Sequence, residues 1–172
     1  MTPIDLLNVL KGYVEQVVST LVMPVKMGRD SEPLVDEDGN YKFSSYPEKV
    51  PGVYLMNLPD VKAQREKAPY IVLQLVNGID EQDDGKPEES SCNIRIVVCA
   101  YSEDLAEGPL QVMNVIDRLR KSLLEDRIIG KRYELQMPLE YLLYPDNPAP
   151  FYFGEIMTRW KLPAVQRRVY FE

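Results

Sequence analysis

The chain contains no histidine. That absence removes the commonest general base at neutral pH, every Ser–His or Cys–His nucleophile pair, and all His-containing zinc sites. Cysteine is almost as scarce, with Cys92 and Cys99 alone, too few for a Cys-rich metal site. Their seven-residue separation spans about 23 Å of extended strand, beyond the reach of a disulfide, and the odd spacing points them to opposite faces. Both are expected to be free thiols acting as small buried hydrophobes. No Gly-rich loop follows the dinucleotide or P-loop pattern. No apolar run approaches the roughly 20 residues of a spanning helix. The stretch Met1–Asp5 lacks the basic region of a secretory leader and carries an early acid, so the expectation is a chain that folds and stays in the cytosol where it is made. A basic excess is missing too: Lys and Arg number 20 against 27 Asp and Glu, a net charge of −7, which argues against a chain devoted to neutralising phosphates.

What is present fits one globular domain. At 172 residues and 45% hydrophobic content, the chain can bury a real core. The centre of the pattern runs from Tyr70 to Leu124: two apolar strands, Tyr70–Asn77 and Asn93–Tyr101, an acidic loop between them, and an amphipathic helix after them. Tyr70–Asn77 is nearly continuous in its apolar residues and reads as buried on both faces. In the second strand Ile94, Ile96, Val98 and Ala100 share one face, and antiparallel pairing of the two is the simple solution.

Upstream, Thr2 can cap a helix with Pro3 at its first position, and Ile4, Leu7, Leu10, Val14, Val17 or Val18 and Leu21 recur at helical spacing, predicting a helix over 3–22 that Pro24 stops. From Met23 to Pro69, six prolines (Pro24, Pro33, Pro47, Pro51, Pro59 and Pro69) exclude long helices and central strands. This segment, about residues 23–68, reads as an extended arm or a set of edge elements outside the core. Within it Asp38-Gly39, between Leu34-Val35 and Tyr41–Phe43, is a hairpin signal, and Pro51-Gly52 marks a turn before Val53–Met56. An arm this long in a compact domain reads as reaching for a neighbouring subunit.

Downstream, Ser102 or Asp104 can cap the next helix, Gly108-Pro109 lies near its start, and Leu110, Met113, Ile116, Leu119 and Leu123 form its expected apolar stripe, with Gly130 as the limit. Arg118, Arg120 and Lys121 are expected to complement the helix dipole toward the C-terminal end, and read as a solvated face. Two more strands are predicted, about Arg132–Met137 and Tyr152–Leu162, joined by the aromatic, proline-rich connection Tyr141–Pro148. In the last strand Ile156, Thr158, Trp160 and Leu162 alternate with Met157, Arg159 and Lys161, so Trp160 reads as core. Tyr141 and Tyr144 read as staples of the connection to the sheet. Arg167-Arg168 and the apolar end Val169–Phe171 have no evident partner within the chain.

The acidic loop Asp80–Glu89 holds Asp80, Glu81, Asp83, Asp84, Glu88 and Glu89 against one lysine, Lys86. As a calcium loop it offers Asp80, Gln82, Asp84 and Gly85 at suitable positions, yet Ser91 stands where a bidentate glutamate is needed. It therefore reads as a solvated loop. In Asp36-Glu37-Asp38, Gly39 comes too early for the same motif. Neither a metal, a cofactor nor a catalytic group is expected.

One resemblance is carried by four segments: the "Pro-Tyr-Ile-Val" strand at Pro69–Val72; the strand Ile94–Tyr101 followed by Ser102-Glu103-Asp104; the "Asn-x-Ile-Asp-x-Leu-Arg" cluster of Asn114, Ile116, Asp117, Leu119 and Arg120; and the "Gly-x-Ile-x-x-x-Trp-x-Leu-Pro" strand at Gly154–Pro163. In this order they resemble the tail terminator or tail-completion proteins of tailed bacteriophages, a group that includes tail-to-head joining proteins. The resemblance spans roughly Pro69–Pro163, and the Met23–Ala68 arm is longer than in a minimal member. It implies an α+β fold with two main helices on one side of a mostly antiparallel sheet, assembled as a homohexameric ring. Such a ring caps the tail tube, ends its polymerisation and docks the head connector; in contractile tails it also meets the sheath. DNA would pass through without specific binding, and the protein would reside in the virion tail or neck after assembly in the host cytoplasm.

On that reading the six acids of the loop face the channel or the tube, where they repel phosphates, and Leu34, Val35, Asp38, Gly39, Tyr41 and Phe43 belong to an intersubunit arm. A head-completion or neck connector protein is the alternative, sharing size, acidity and the lack of catalytic residues. A small ligand-binding domain is a third reading and would need a pocket with convergent polar groups.

Overall fold

The computed structural model describes residues 2–25, 48–58 and 67–168. The hairpin signal around Asp38-Gly39, the rest of the arm between Lys26 and Pro47, and the Val169–Phe171 end lie outside the described residues.

Helix α1 spans Pro3–Val18. Thr2 Oγ1 accepts from the Asp5 N–H at 3.3 Å while the Asp5 carboxylate accepts from the Thr2 N–H at 2.7 Å, so two otherwise orphaned donors are satisfied by one reciprocal cap. The helix stops short of the expected Val22, because both the N–H and the hydroxyl of Ser19 donate to the Gln16 carbonyl and close the last turn. Its buried stripe is Leu6, Leu7, Leu10, Val14 and Val18; Ile4 is 66% exposed instead.

Two short strands, β1 (Met23–Pro24) and β2 (Glu48–Lys49), pair antiparallel. The main sheet has six strands: β3 (Gly52–Leu55), β4 (Tyr70–Glu81), β5 (Glu89–Tyr101), β6 (Ile128–Ile129), β7 (Tyr133–Leu143) and β8 (Phe151–Leu162), in the order β3-β4-β5-β8-β7-β6. All neighbours are antiparallel except β3 and β4. Helix α2 (Glu107–Asp126) packs with α1 on one face of this sheet. The fold is α+β, as the sequence pattern and the resemblance both lead one to expect.

Four sequence expectations are corrected. The arm is not wholly outside the core, since Met23 and Val53 are buried in it. The stripe of α2 is Val112, Val115, Ile116, Leu119 and Leu123; Leu110 is exposed and Met113 half-buried, on the same flank as Asp117 and Arg120. That flank cannot face an apolar sheet without burying charge. Arg118, Arg120 and Lys121 sit too far from the helix end to feel its dipole, which acts over the last turn; Arg120 and Lys121 hold Asp117 at 2.7 and 2.6 Å, and Arg118 reaches Thr20 at 2.7 Å. Finally, β7 runs well past Met137 and takes in Tyr141–Leu143, expected as a connection. A register irregularity between Gln136 and Glu140 absorbs Pro138 and lets pairing with β8 resume.

The core lies between the helices and the sheet. Trp160 is fully buried there, and its indole N–H donates to Thr158 Oγ1 at 2.8 Å while that hydroxyl donates to the Ile94 carbonyl at 2.8 Å. One small side chain thus satisfies the tryptophan and ties β8 to β5. Each aliphatic side chain fully buried here stabilises the fold by about 1.5–3 kcal/mol relative to exposure. Close approach of α2 relies on two glycines. A Cβ on Gly108 would lie 2.2 Å from the Tyr152 ring, and one on Gly154 would lie 2.8 Å from Val112 and 2.9 Å from Ile116.

Candidate functional site

The acidic loop is shorter than the sequence suggested. Both strands of the hairpin continue into it, with Asp80 opposite Ser90 and Glu81 opposite Glu89, so β4 and β5 outrun the expected ends at Asn77 and Asn93. Burial on both faces of β4 holds for Tyr70–Leu73 and then ceases; Val76 is 54% and Ile79 40% exposed. The turn proper is residues 82–88, with Gly85 at φ 81°, a conformation that favours glycine.

The six acids do not converge. Asp80 accepts from Ser90 Oγ at 2.6 Å, Asp83 holds Lys86 at 2.9 Å, and Asp84 meets Arg167 at 3.3 Å. Glu88 is half-buried, and Glu81 and Glu89 are exposed across the ladder from each other. Among the described residues no three His, Cys, Asp or Glu side chains gather as metal ligands. The segment after β8 lies along this turn: Gln82 Nε2 donates to the Val165 carbonyl at 2.8 Å, which with the Arg167 contact supplies a partner within the chain that the sequence did not suggest.

The second notable surface is the sheet face away from the helices. At one end it carries a small core of its own, with Tyr70, Val72, Cys99, Tyr101 and Phe151 buried and the Tyr101 and Phe151 rings 5.6 Å apart. At its middle the Arg95 guanidinium donates to the Glu155 carboxylate and to the Tyr144 hydroxyl, and Tyr144 donates to Glu155 at 2.8 Å. Burial alone would lower the Arg95 pKa, but the hydrogen bonds to Glu155 and Tyr144 outweigh it and hold the guanidinium charge more firmly. Burial, then the bond to Glu155, pushes the Tyr144 hydroxyl up. Tyr144 also stacks on Phe153, ring centroids 6.3 Å apart, and does staple the connection to the sheet. Tyr141 instead lies under Arg120 of α2, 5.6 Å from its ring.

Sequence reading missed this Arg95–Glu155–Tyr144 cluster. Its signal was Arg95 inside an apolar strand, on the face opposite Ile94 and Ile96. Beyond it the face is polar, with Asn93 donating to Asn77 at 2.7 Å, and ends in a shallow depression between Ile79, Gln136, Arg159 and Lys161. Another depression, open and partly apolar, lies between Leu139, Leu142, Glu155 and Met157.

The two thiols sit on opposite faces, Cys92 in the helix-covered core and Cys99 in the small core. Burial pushes Cys92 up to about 11 and Cys99 up to about 12, so neither is a ready nucleophile near neutrality. No helix among the described residues is long and apolar enough to cross a membrane.

No family model and no curated protein sequence matches the chain. Among solved structures, a chain from the virion of a native gene transfer agent (GTA) particle is similar to it, at 14% identity and a TM-score of 0.37, over 64% of this chain and 77% of that one.

Proposed function

We propose that this chain is a structural virion protein of a tailed bacteriophage, a tail terminator whose ring caps the tail tube, ends its polymerisation and offers the docking surface for the head connector. The observation that carries the reading is that the four segments bearing the resemblance form one packed unit. Strands β4, β5 and β8 are neighbours, and α2 lies across β5 and β8 with Ile116 and Leu119 in the core. Gly154, the first residue of the Trp-containing motif, permits the close approach of α2, and Trp160 fills the space beneath the helices. The motif residues therefore build the scaffold and leave the hairpin turn, the helix-free face and the sheet edges for assembly.

Function on this reading is carried by surfaces. The partners are other copies of the chain, the tube protein, the head connector and, in a contractile tail, the sheath. The mass of the purified protein in solution, with and without polymerised tube and followed by negative-stain imaging, tests it. A ring of six, alone or at a tube end, is expected; a monomer indifferent to the tube would overturn the proposal.

The acidic turn faces the channel or the tube in this proposal. Exchanging Asp80, Glu81, Asp83, Asp84, Glu88 and Glu89 for Ser and Gln should impair DNA passage or tail joining; unchanged infectivity of such particles would refute that role. The arm acts as an intersubunit strap, so deleting Pro33–Pro47 should weaken the ring while the monomer stays folded.

A further inference from the structure

Among the described residues the main sheet has two open edges, one at each end. At one end β3 is paired, among these residues, with β4 alone. At the other, β7 is paired on its outer side with β6 only at Tyr133 and Glu134, so Met137–Leu143 has no outer strand among the described residues. An open strand edge presents a row of backbone donors and acceptors ready for another strand.

The two edges match in position. Following the ladders across the sheet, Val53 shares a row with Leu143, Tyr54 with Leu142 and Leu55 with Tyr141. They match in direction as well. Strand β3 runs with β4, and three antiparallel steps lead from β4 to β7, so β3 and β7 run opposite ways. The side chains are apolar on both. Tyr141, Leu142 and Leu143 are 46%, 47% and 38% exposed, and Met56 at the end of β3 is 42% exposed.

We infer that the β3 edge of one copy receives the β7 edge of the next as an antiparallel strand, fusing neighbouring sheets into one. On the helix-free face Leu142 of the neighbouring copy lies beside Tyr54; on the helix side its Tyr141 and Leu143 meet Leu55 and Val53. The occupant is a second copy because the two edges of the chain match each other in row, direction and apolar character; joining two different edges is a head-to-tail contact, which closes into a ring where its rotation allows, whereas β3–β3 or β7–β7 pairing would stop at a dimer. This rests on the ring proposed above and specifies its seam.

Two variants test it in the full-length chain. Leu142→Lys changes an exposed residue, so circular dichroism and melting should match the wild type, while the concentration for half-assembly should rise about tenfold or more. Tyr54→Cys combined with Leu142→Cys should, under mild oxidation, give a ladder of disulfide-linked oligomers that ends at a covalent ring, with neither single variant doing so. If the wild type forms no ring with or without the tube, the ring and its seam both fall. If rings form and Leu142→Lys assembles like the wild type, or the cysteine pair stays unlinked within them, the seam alone is overturned.

Discussion

The two faces of the sheet are built on different terms. Under the helices the sheet is sealed. Ile71, Leu73, Ile94, Ile96, Ile156 and Trp160 are fully buried, and the polar Thr158 spends its hydroxyl on its neighbours. Away from the helices, among the described residues, one end is sealed by the Tyr70–Phe151 core, and the rest is held by an ion pair with a tyrosine and by amide contacts that remain half in water. The first face fixes the fold. The second can change its surface residues at little cost to it.

The largest break in this contrast comes from Trp160→Ala, which should cost about 3–5 kcal/mol in urea unfolding, because the hole lies at the centre of the sealed face. Next is Gly108→Ala, where the added methyl meets the Tyr152 ring and should lower stability by about 1–3 kcal/mol, read as a lower melting temperature.

The thiols sharpen the comparison, one on each face. Their native pKa values of about 11 and 12 lie above the ordinary 9.0. Below about pH 9 the thiol is protonated in both states and the contribution is whole; above it the unfolded thiol ionises first, and stability falls as pH rises toward the native values. The limit is about 1.4 kcal/mol per group per pH unit. A Cys92→Ala, Cys99→Ala variant should therefore lose less stability than the wild type between about pH 8 and about pH 10. Equal losses would mean that both thiols sit in wetter surroundings than the packing shows. The smallest effect belongs to the open face. Arg95→Met should cost about 1 kcal/mol, because the guanidinium is partly exposed and screened although the Glu155 carboxylate behind it is mostly covered.

The sealed face was the legible one. Alternation in Tyr152–Leu162 marked Ile156, Thr158 and Trp160 as inward, and the apolar run at Tyr70 marked a strand covered on both sides. Periodicity carries such information because burial repeats along the element. The rotation of α2 was less legible, since Leu110 and Met113 mimic a stripe until the charges of Asp117 and Arg120 on the same flank are counted. Legibility failed where pairing overrides local preference. Asp80, Glu81 and Glu89 look like loop residues, yet partners across the ladder extend both strands through them, and a bulge carries β7 past Pro138. The Arg95–Glu155–Tyr144 cluster joins residues from two strands and a connection, which no spacing within one segment could reveal.

Trp160 is the only tryptophan in the chain, and it is fully enclosed on the sealed face. Its emission is therefore an intrinsic lamp for the scaffold, because the ring is enclosed in the core under the helices and has no exposed surface at the hairpin turn or the sheet edges. Loss of the buried blue-shifted spectrum signals unfolding, while joining of copies at their edges should leave it nearly unchanged. Assembly and collapse, which both alter light scattering and mass, can thus be told apart in one cuvette without attaching a dye.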